Sequence, residues 1–345
     1  MDDDDLRSFV TALPKAELHV HLEGSIDAAL ALRLAARHGV RLPGDEGGIE
    51  GVRAAYRFAD FAAFIRVYLA LSRCLQTPED LCEAVASLAL RLRDGGVVHA
   101  EVTFTPMTHA ARGVPLEVMR EGLLAGRAAA AAIGVSIAYV FDIVRGFDDQ
   151  AAPTLAFALA LAERERAAVA GLGLAGPEAP DHPLDAVVPV FERARAAGLA
   201  ALPHAGEFLG PASVRAAIDR LGATRIGHGV RAIEDAALVR ELADRGVVLE
   251  VCPSSNVALG VHADLASHPL PALLDAGVAA VLATDDPALF GVELVDEYLR
   301  CAAAFGWDRA TIERLTRRSL DAAVMDADTR AAWLGPRDGA GGDPN

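Results

Sequence analysis

The chain has 345 residues, 52% hydrophobic and 23% charged, which supplies a large core and excludes a disordered or fibrous chain. Acidic side chains outnumber basic ones by 48 to 32, and the resulting charge of −16 gives no field that attracts nucleic acid or an anionic membrane surface. No apolar run approaches the roughly 18 residues of a spanning helix, the start Met1-Asp2-Asp3-Asp4-Asp5 is unlike a basic leader, and four cysteines without a CxxC pair read as reduced thiols, so the expected location is cytoplasmic.

In chain order, residues 1–5 and 335–345 have the composition of flexible termini, and 6–334 reads as one domain without a linker. The first predicted strand, 16–21, leads into Glu17-Leu18-His19-Val20-His21-Leu22-Glu23-Gly24-Ser25, and strand periodicity puts His19 and His21 on one face. The Gly-rich stretch 44–51 and the helical stretch 58–75 are too long for a plain crossover and predict a lid. Its Phe58, Phe61, Phe64 and Tyr68 fall at helical spacing. Helices are predicted over 78–93, 116–132, 184–197, 213–221 and 235–245, most of them closed by a glycine. Between them lie strands at 97–104, 135–141, 169–174, 200–204, 224–228, 247–251 and 278–284. Eight strands alternating with helices imply the α/β class and a closed (β/α)8 TIM barrel, with the helical lid inserted after strand 1. No GxGxxG follows the first strand, which argues against a dinucleotide site.

Polar clusters stand at the ends of several of these strands, the face where such barrels carry their active sites. They are His19 and His21, Pro203-His204-Ala205-Gly206-Glu207, Ile226-Gly227-His228-Gly229, and Thr284-Asp285-Asp286-Pro287. His19, His21, His204 and Asp285 offer three neutral nitrogens and a carboxylate, a donor set suited to one Zn2+ and acceptable to Fe2+ or Mn2+. The single lysine, Lys15, precedes the first strand and cannot be a carbamylated bridge between two metals, so one metal per chain is expected. Glu207, three residues after His204, is placed to donate a proton, and His228 to hold a hydroxide.

Together, Pro14-Lys15-Ala16-Glu17-Leu18-His19-Val20-His21-Leu22-Glu23-Gly24, Leu174-Ala175-Gly176-Pro177-Glu178, His204-Ala205-Gly206-Glu207, Arg225-Ile226-Gly227-His228-Gly229, Val251-Cys252-Pro253-Ser254-Ser255-Asn256 and Thr284-Asp285-Asp286-Pro287 resemble the adenosine deaminase family of the amidohydrolase superfamily. The resemblance covers about residues 10–325. It implies that His19, His21, His204 and Asp285 bind catalytic zinc, that Glu207 passes a proton to purine N1, and that His228 with Asp285 orients the attacking hydroxide. It further implies that the Gly176 backbone contacts N3 and that Asp286 hydrogen-bonds N7. His21, Glu23, Gly176, Asp286, Phe61 and Phe64 are thus the candidate substrate contacts.

The expected reaction is hydrolytic deamination of a small-molecule 6-aminopurine nucleoside, adenosine or a 5′-modified adenosine. Glu23 departs from the HLDG reading of family members whose aspartate holds the ribose 5′-hydroxyl, and it resembles bacterial adenine deaminases. The segment 251–269 resembles aminodeoxyfutalosine deaminases of menaquinone biosynthesis, although those read HHVGS where this chain has His21-Leu22-Glu23-Gly24-Ser25. An ester- or amide-cleaving barrel metallohydrolase and a catalytically dead relative are the remoter alternatives. Histidines 38, 99, 109, 182, 262 and 268 match no motif and are expected in the core or at the surface. Nothing in the sequence speaks to oligomeric state.

Overall fold

The apolar runs become strands because each is covered on both faces, as in β1 (Lys15–His21) and β4 (Val169–Ala175), every residue of which is buried. The computed structural model describes residues 3–58, 60–180, 182–325 and 327–334. The other strands are β2 (Val97–Phe104), β3 (Ser136–Val144), β5 (Ala200–Ala205), β6 (Arg225–His228), β7 (Val248–Val251) and β8 (Ala279–Leu282). All pair in parallel with their sequence neighbours, in the order β1 to β8. A bridge between Val20 and Asp285 brings the two edges together: His21 N–H donates to the Asp285 carbonyl at 2.8 Å, and Asp285 N–H to the His19 carbonyl at 2.9 Å. The resulting (β/α)8 barrel is therefore joined at the residues that carry the chemistry.

The last predicted strand, 278–284, is shorter in the structure, Ala279–Leu282, and the chain turns beyond it at Asp285, where φ is 64°. The helix expected over 184–197 begins only at Val188, where Pro189 in the first turn needs no backbone donor. The one expected over 213–221 splits into Pro211–Ala216 and a wider π turn, Ala217–Leu221. At the N-terminus, Asp3–Ala12 is a helix, so Asp3 to Asp5 form its first turn rather than a flexible end. Carboxylates are favoured there by the helix dipole, and Asp5 also pairs with Arg309 at 2.5 Å. The tail 335–345 lies outside the described residues.

Lys15 starts β1 at the end of the barrel opposite the histidines. Its buried ammonium donates to the carbonyls of Leu13 and Gly95, both at 2.7 Å. Inside the barrel, Arg225 bridges Glu101 and Glu250, all three nearly inaccessible. The insertion between β1 and β2 contains the helices Ala28–His38, Gly48–Ala55 and Phe61–Ser72. Phe58 precedes the last of these, whose first turn is capped by the Asp60 carboxylate accepting from Ala63 N–H at 2.7 Å.

Candidate metal centre and active site

Alternation along β1 turns His19 and His21 into the barrel, and β5 and β6 bring His204 and His228 to the same end. The Asp285 Oδ1 lies 3.4 Å from His19 Nε2 and 3.3 Å from His21 Nε2. His21 Nε2 and His204 Nε2 are 3.3 Å apart. One ligand atom from each of His19, His204, His228 and Asp285 falls within 4.8 Å of the others. Room for the His19 ring comes from Gly227 on β6, where a Cβ would stand 2.6 Å from His19 Cε1. His228 and Asp285 both have positive φ without being glycine, a strained conformation kept where side-chain direction matters.

Hydrogen bonds settle which ring nitrogen is free. His19 Nδ1 faces the Glu250 carboxylate at 3.1 Å and His204 Nδ1 faces the Leu174 carbonyl at 3.1 Å, so both donate there and leave Nε2 as a lone pair aimed inward. His19 Nε2 is buried without a hydrogen-bond partner among the described residues. Inward lone pairs beside one carboxylate, itself fixed by Ser255 Oγ at 2.6 Å, suit a divalent metal ion. Of the four residues expected as ligands, His19, His204 and Asp285 share one such group with His228, while His21 falls in a second group with Asp142 and His204.

A chain of donors orients His228. Leu270 N–H donates to His268 Nδ1 at 3.2 Å, so His268 Nε2 carries its proton and donates to Asn256 Oδ1 at 3.2 Å. The Asn256 amide nitrogen then donates to His228 Nδ1 at 3.2 Å. His228 is thereby held with Nε2–H pointing into the site, 3.7 Å from Glu207 Oε2 and 3.9 Å from Asp285 Oδ2. Burial lowers its pKa to about 4, so the ring is neutral. Asn256 belongs to a motif read from the sequence, but His268, expected as an ordinary core or surface histidine, does not.

Burial, with the charges of Asp285 and Glu178, holds the Glu207 carboxyl well above the usual range, in the form that can donate a proton. Its backbone is fixed by Glu178, whose carboxylate accepts from the amides of Gly206, Glu207, Phe208 and Leu209 at 2.8–3.0 Å and from Ser213 Oγ. Arg145 donates to the carbonyls of His204 and of Gly176, the latter at 3.1 Å. Burial, and next to it Asp285, likewise raises Asp286. Asp286 packs so closely on Gly24 that a Cβ there would lie 1.6 Å from its Oδ1.

Glu23 is fully buried and saturated with donors: His109 Nε2 at 2.8 Å, Tyr68 hydroxyl at 3.1 Å and Thr105 hydroxyl at 3.4 Å. Arg112 donates to His109 Nδ1 at 3.1 Å, which makes Nε2 the protonated nitrogen. His109, like His268, was expected to be structural; its place just beyond the end of β2, on the active face, is the signal that marks it. Above these groups the lid helix Phe61–Ser72 sets Phe61 against Phe208 (5.2 Å between centroids) and Phe64 against Phe290 (5.5 Å). Tyr68 meets the His21 ring edge-on at 6.3 Å. Phe208 and Phe290 follow Glu207 and Asp286 closely in sequence, so the lid rests on the loops that carry the candidate proton donor and the metal-side carboxylates.

The sequence matches the adenosine deaminase family model over residues 14–335. It is 42% identical over 324 residues to an adenine deaminase of Cupriavidus taiwanensis, covering 93% of this chain and 90% of that protein, and 41% identical to an adenine deaminase of Chelativorans sp., covering 93% and 96%. Among solved structures, adenine deaminase from Arthrobacter aurescens superposes with a TM-score of 0.87 at 34% identity, covering 94% of this chain and 97% of that one. An amidohydrolase from Burkholderia ambifaria with bound zinc superposes with a TM-score of 0.83 at 27% identity, covering 95% and 90%. With the barrel, the inward histidines and these likenesses in place, the chain belongs to the adenosine deaminase family of the amidohydrolase superfamily and is a hydrolytic deaminase.

Proposed function

We propose that the chain deaminates adenine as the free base, converting adenine and water to hypoxanthine and ammonia. The observation that carries this reading is Glu23, whose buried carboxylate is fixed by Tyr68, His109 and Thr105 on the side where a ribose would lie. The adenine deaminases among the relatives support it, and it displaces the expectation of adenosine or a 5′-modified adenosine, aminodeoxyfutalosine included.

We assign His19, His21, His204 and Asp285 as ligands of one zinc ion, with His228 beside them. When bound, the ion supplies the Lewis acidity that ionises a water near neutral pH. The protein's own groups do the rest. The His228 Nε2–H holds the attacking oxygen, and neutral Glu207 gives its proton to N1 as the water oxygen adds to C6. Asp286, neutral, donates to N7, and the Gly176 backbone faces N3. The bond from C6 to the exocyclic nitrogen then breaks, leaving N1–H on hypoxanthine; of the two water protons, one restores the Glu207 carboxyl and the other departs in ammonia. Phe61 and Phe64 close over the base and exclude bulk water.

The test is ammonia release from adenine, adenosine and 5′-methylthioadenosine measured side by side. Adenine should exceed both nucleosides in kcat/KM by at least about 100-fold, since the sugar side is filled by an ordered buried cluster. A nucleoside turned over as well as adenine would overturn the reading.

A further inference from the structure

One acidic group at the mouth of the barrel has no part in the chemistry above. Asp142 lies near the end of β3, is 2% exposed, and neither of its carboxylate oxygens has a hydrogen-bond partner among the described residues. The fold makes a place for it. Its neighbour on β4 is Gly173, where a Cβ would stand 1.8 Å from Asp142 Oδ1, so any other residue would drive the carboxylate away. One of its oxygens falls within 4.8 Å of a nitrogen of both His21 and His204, which aims the group at the reacting centre rather than into the apolar shell. The nearest cation in sequence, Arg145, is committed to the carbonyls of Gly176 and His204. A buried acceptor left so is costly unless a ligand supplies the donor.

The proposed substrate carries such a donor. With C6 at the metal, N1 faces Glu207 beyond β5, N3 faces Gly176 beyond β4, and N7 faces Asp286 beyond β8. The remaining edge of the purine, N9, faces the sector of β1 to β3. Two carboxylates occupy that sector, and they differ in what they have left to give: Glu23 already accepts from three side chains, whereas Asp142 accepts from none. We propose that Asp142 accepts a hydrogen bond from the N9–H of a free purine base, and so is a substrate-binding residue that selects the base over its N9-substituted nucleosides. The inference rests on the adenine reading and adds to it the residue that recognises the unsubstituted nitrogen.

The experiment uses the metal-loaded full chain, with D142N and G173A beside the wild type. Ammonia release from adenine is measured together with inhibition by purine and by 9-methylpurine, metal content and thermal melting. Replacing Asp142 with Asn, whose amide oxygen is a weaker acceptor, should raise KM for adenine more than it lowers kcat and reduce kcat/KM by about 10-fold, the order of one buried hydrogen bond. The preference for purine over 9-methylpurine should shrink by a similar factor, while metal content stays at that of the wild type. G173A, which crowds the carboxylate without removing it, should weaken adenine in the same sense and serves if D142N does not fold. An unchanged purine preference in a folded variant would overturn the proposal. So would the loss of a metal ion in D142N, which would make Asp142 a cation ligand. Failure of the wild type to deaminate adenine would sink the adenine reading itself, a result separate from the variant's ratio.

Discussion

At the scale of single residues, protonation is set by who faces whom. Glu207 and Asp286 are both buried beside Asp285, and that shared environment keeps their protons on, while the histidines gathered around Asp285 override burial and keep it ionised. One cluster therefore holds a carboxylate and two carboxylic acids, the division of labour a deaminase needs. Glu207→Gln keeps the shape and removes the transferable proton. It should lower kcat for ammonia release by about 1,000-fold, within the range ascribed to a general acid, with metal content unchanged by elemental analysis. Full activity in that variant would remove Glu207 from the mechanism.

At the scale of elements, the active face is built by loops that brace one another. The β4 loop supplies Glu178, and its carboxylate gathers four consecutive amides of the β5 loop that presents Glu207. Four amide donors on one anion make a strong, directional clamp. Glu178→Ala should therefore lower kcat by roughly 100-fold by freeing the Glu207 backbone, since positional errors of an ångström cost that much. Metal binding should persist, because Glu178 touches none of the proposed ligands in side-chain hydrogen bonds. Steady-state kinetics with metal analysis checks this, and an unchanged kcat would show that the loop holds itself. The inserted helix follows the same logic: Phe61 and Phe64 pack on Phe208 and Phe290 as well as on each other, so the helix is braced against the loops that carry Glu207 and Asp286.

At the scale of the whole molecule, the barrel interior below the clustered histidines is ionic. Arg225 bridges Glu101 and Glu250, and Glu250 in turn orients His19, so a single buried network ties the barrel's interior to its reactive end. Burial alone would raise Glu101, but the charge of Arg225 wins and takes its pKa from 4.5 to about 2. A carboxyl group depressed on folding contributes stability that is fully present above pH 4.5 and is lost as pH falls from there towards 2. Glu101→Gln should destabilise the protein by about 3 kcal/mol at neutral pH by leaving Arg225 partly uncompensated. The gap between variant and wild type should narrow as pH drops below 4.5. Denaturant melts at pH 7 and pH 4 measure it, and a gap that stays constant would place the depressed carboxyl elsewhere.

The sequence by itself determined the repeat of strand and helix, because periodicity and glycine punctuation are local. It also determined the residues at strand ends, because a barrel puts those ends on one face. His19, His21, His204, Glu207, His228, Asp285 and Asp286 were legible for that reason. What only the tertiary structure decided lies in contacts between elements far apart in the chain. His109 reaches Glu23 across 86 positions, His268 acts on His228 through Asn256, and Asp142 fits only because β4 offers no Cβ beside it. None of these follows a spacing rule, since a side-chain hydrogen bond or a gap beside a glycine depends on the register of neighbouring strands. The chemistry follows the same division: the deaminating motifs were written at strand ends, while the saturation of the Glu23 carboxylate by Tyr68, Thr105 and His109 depended on how the inserted helix and the β2 loop meet.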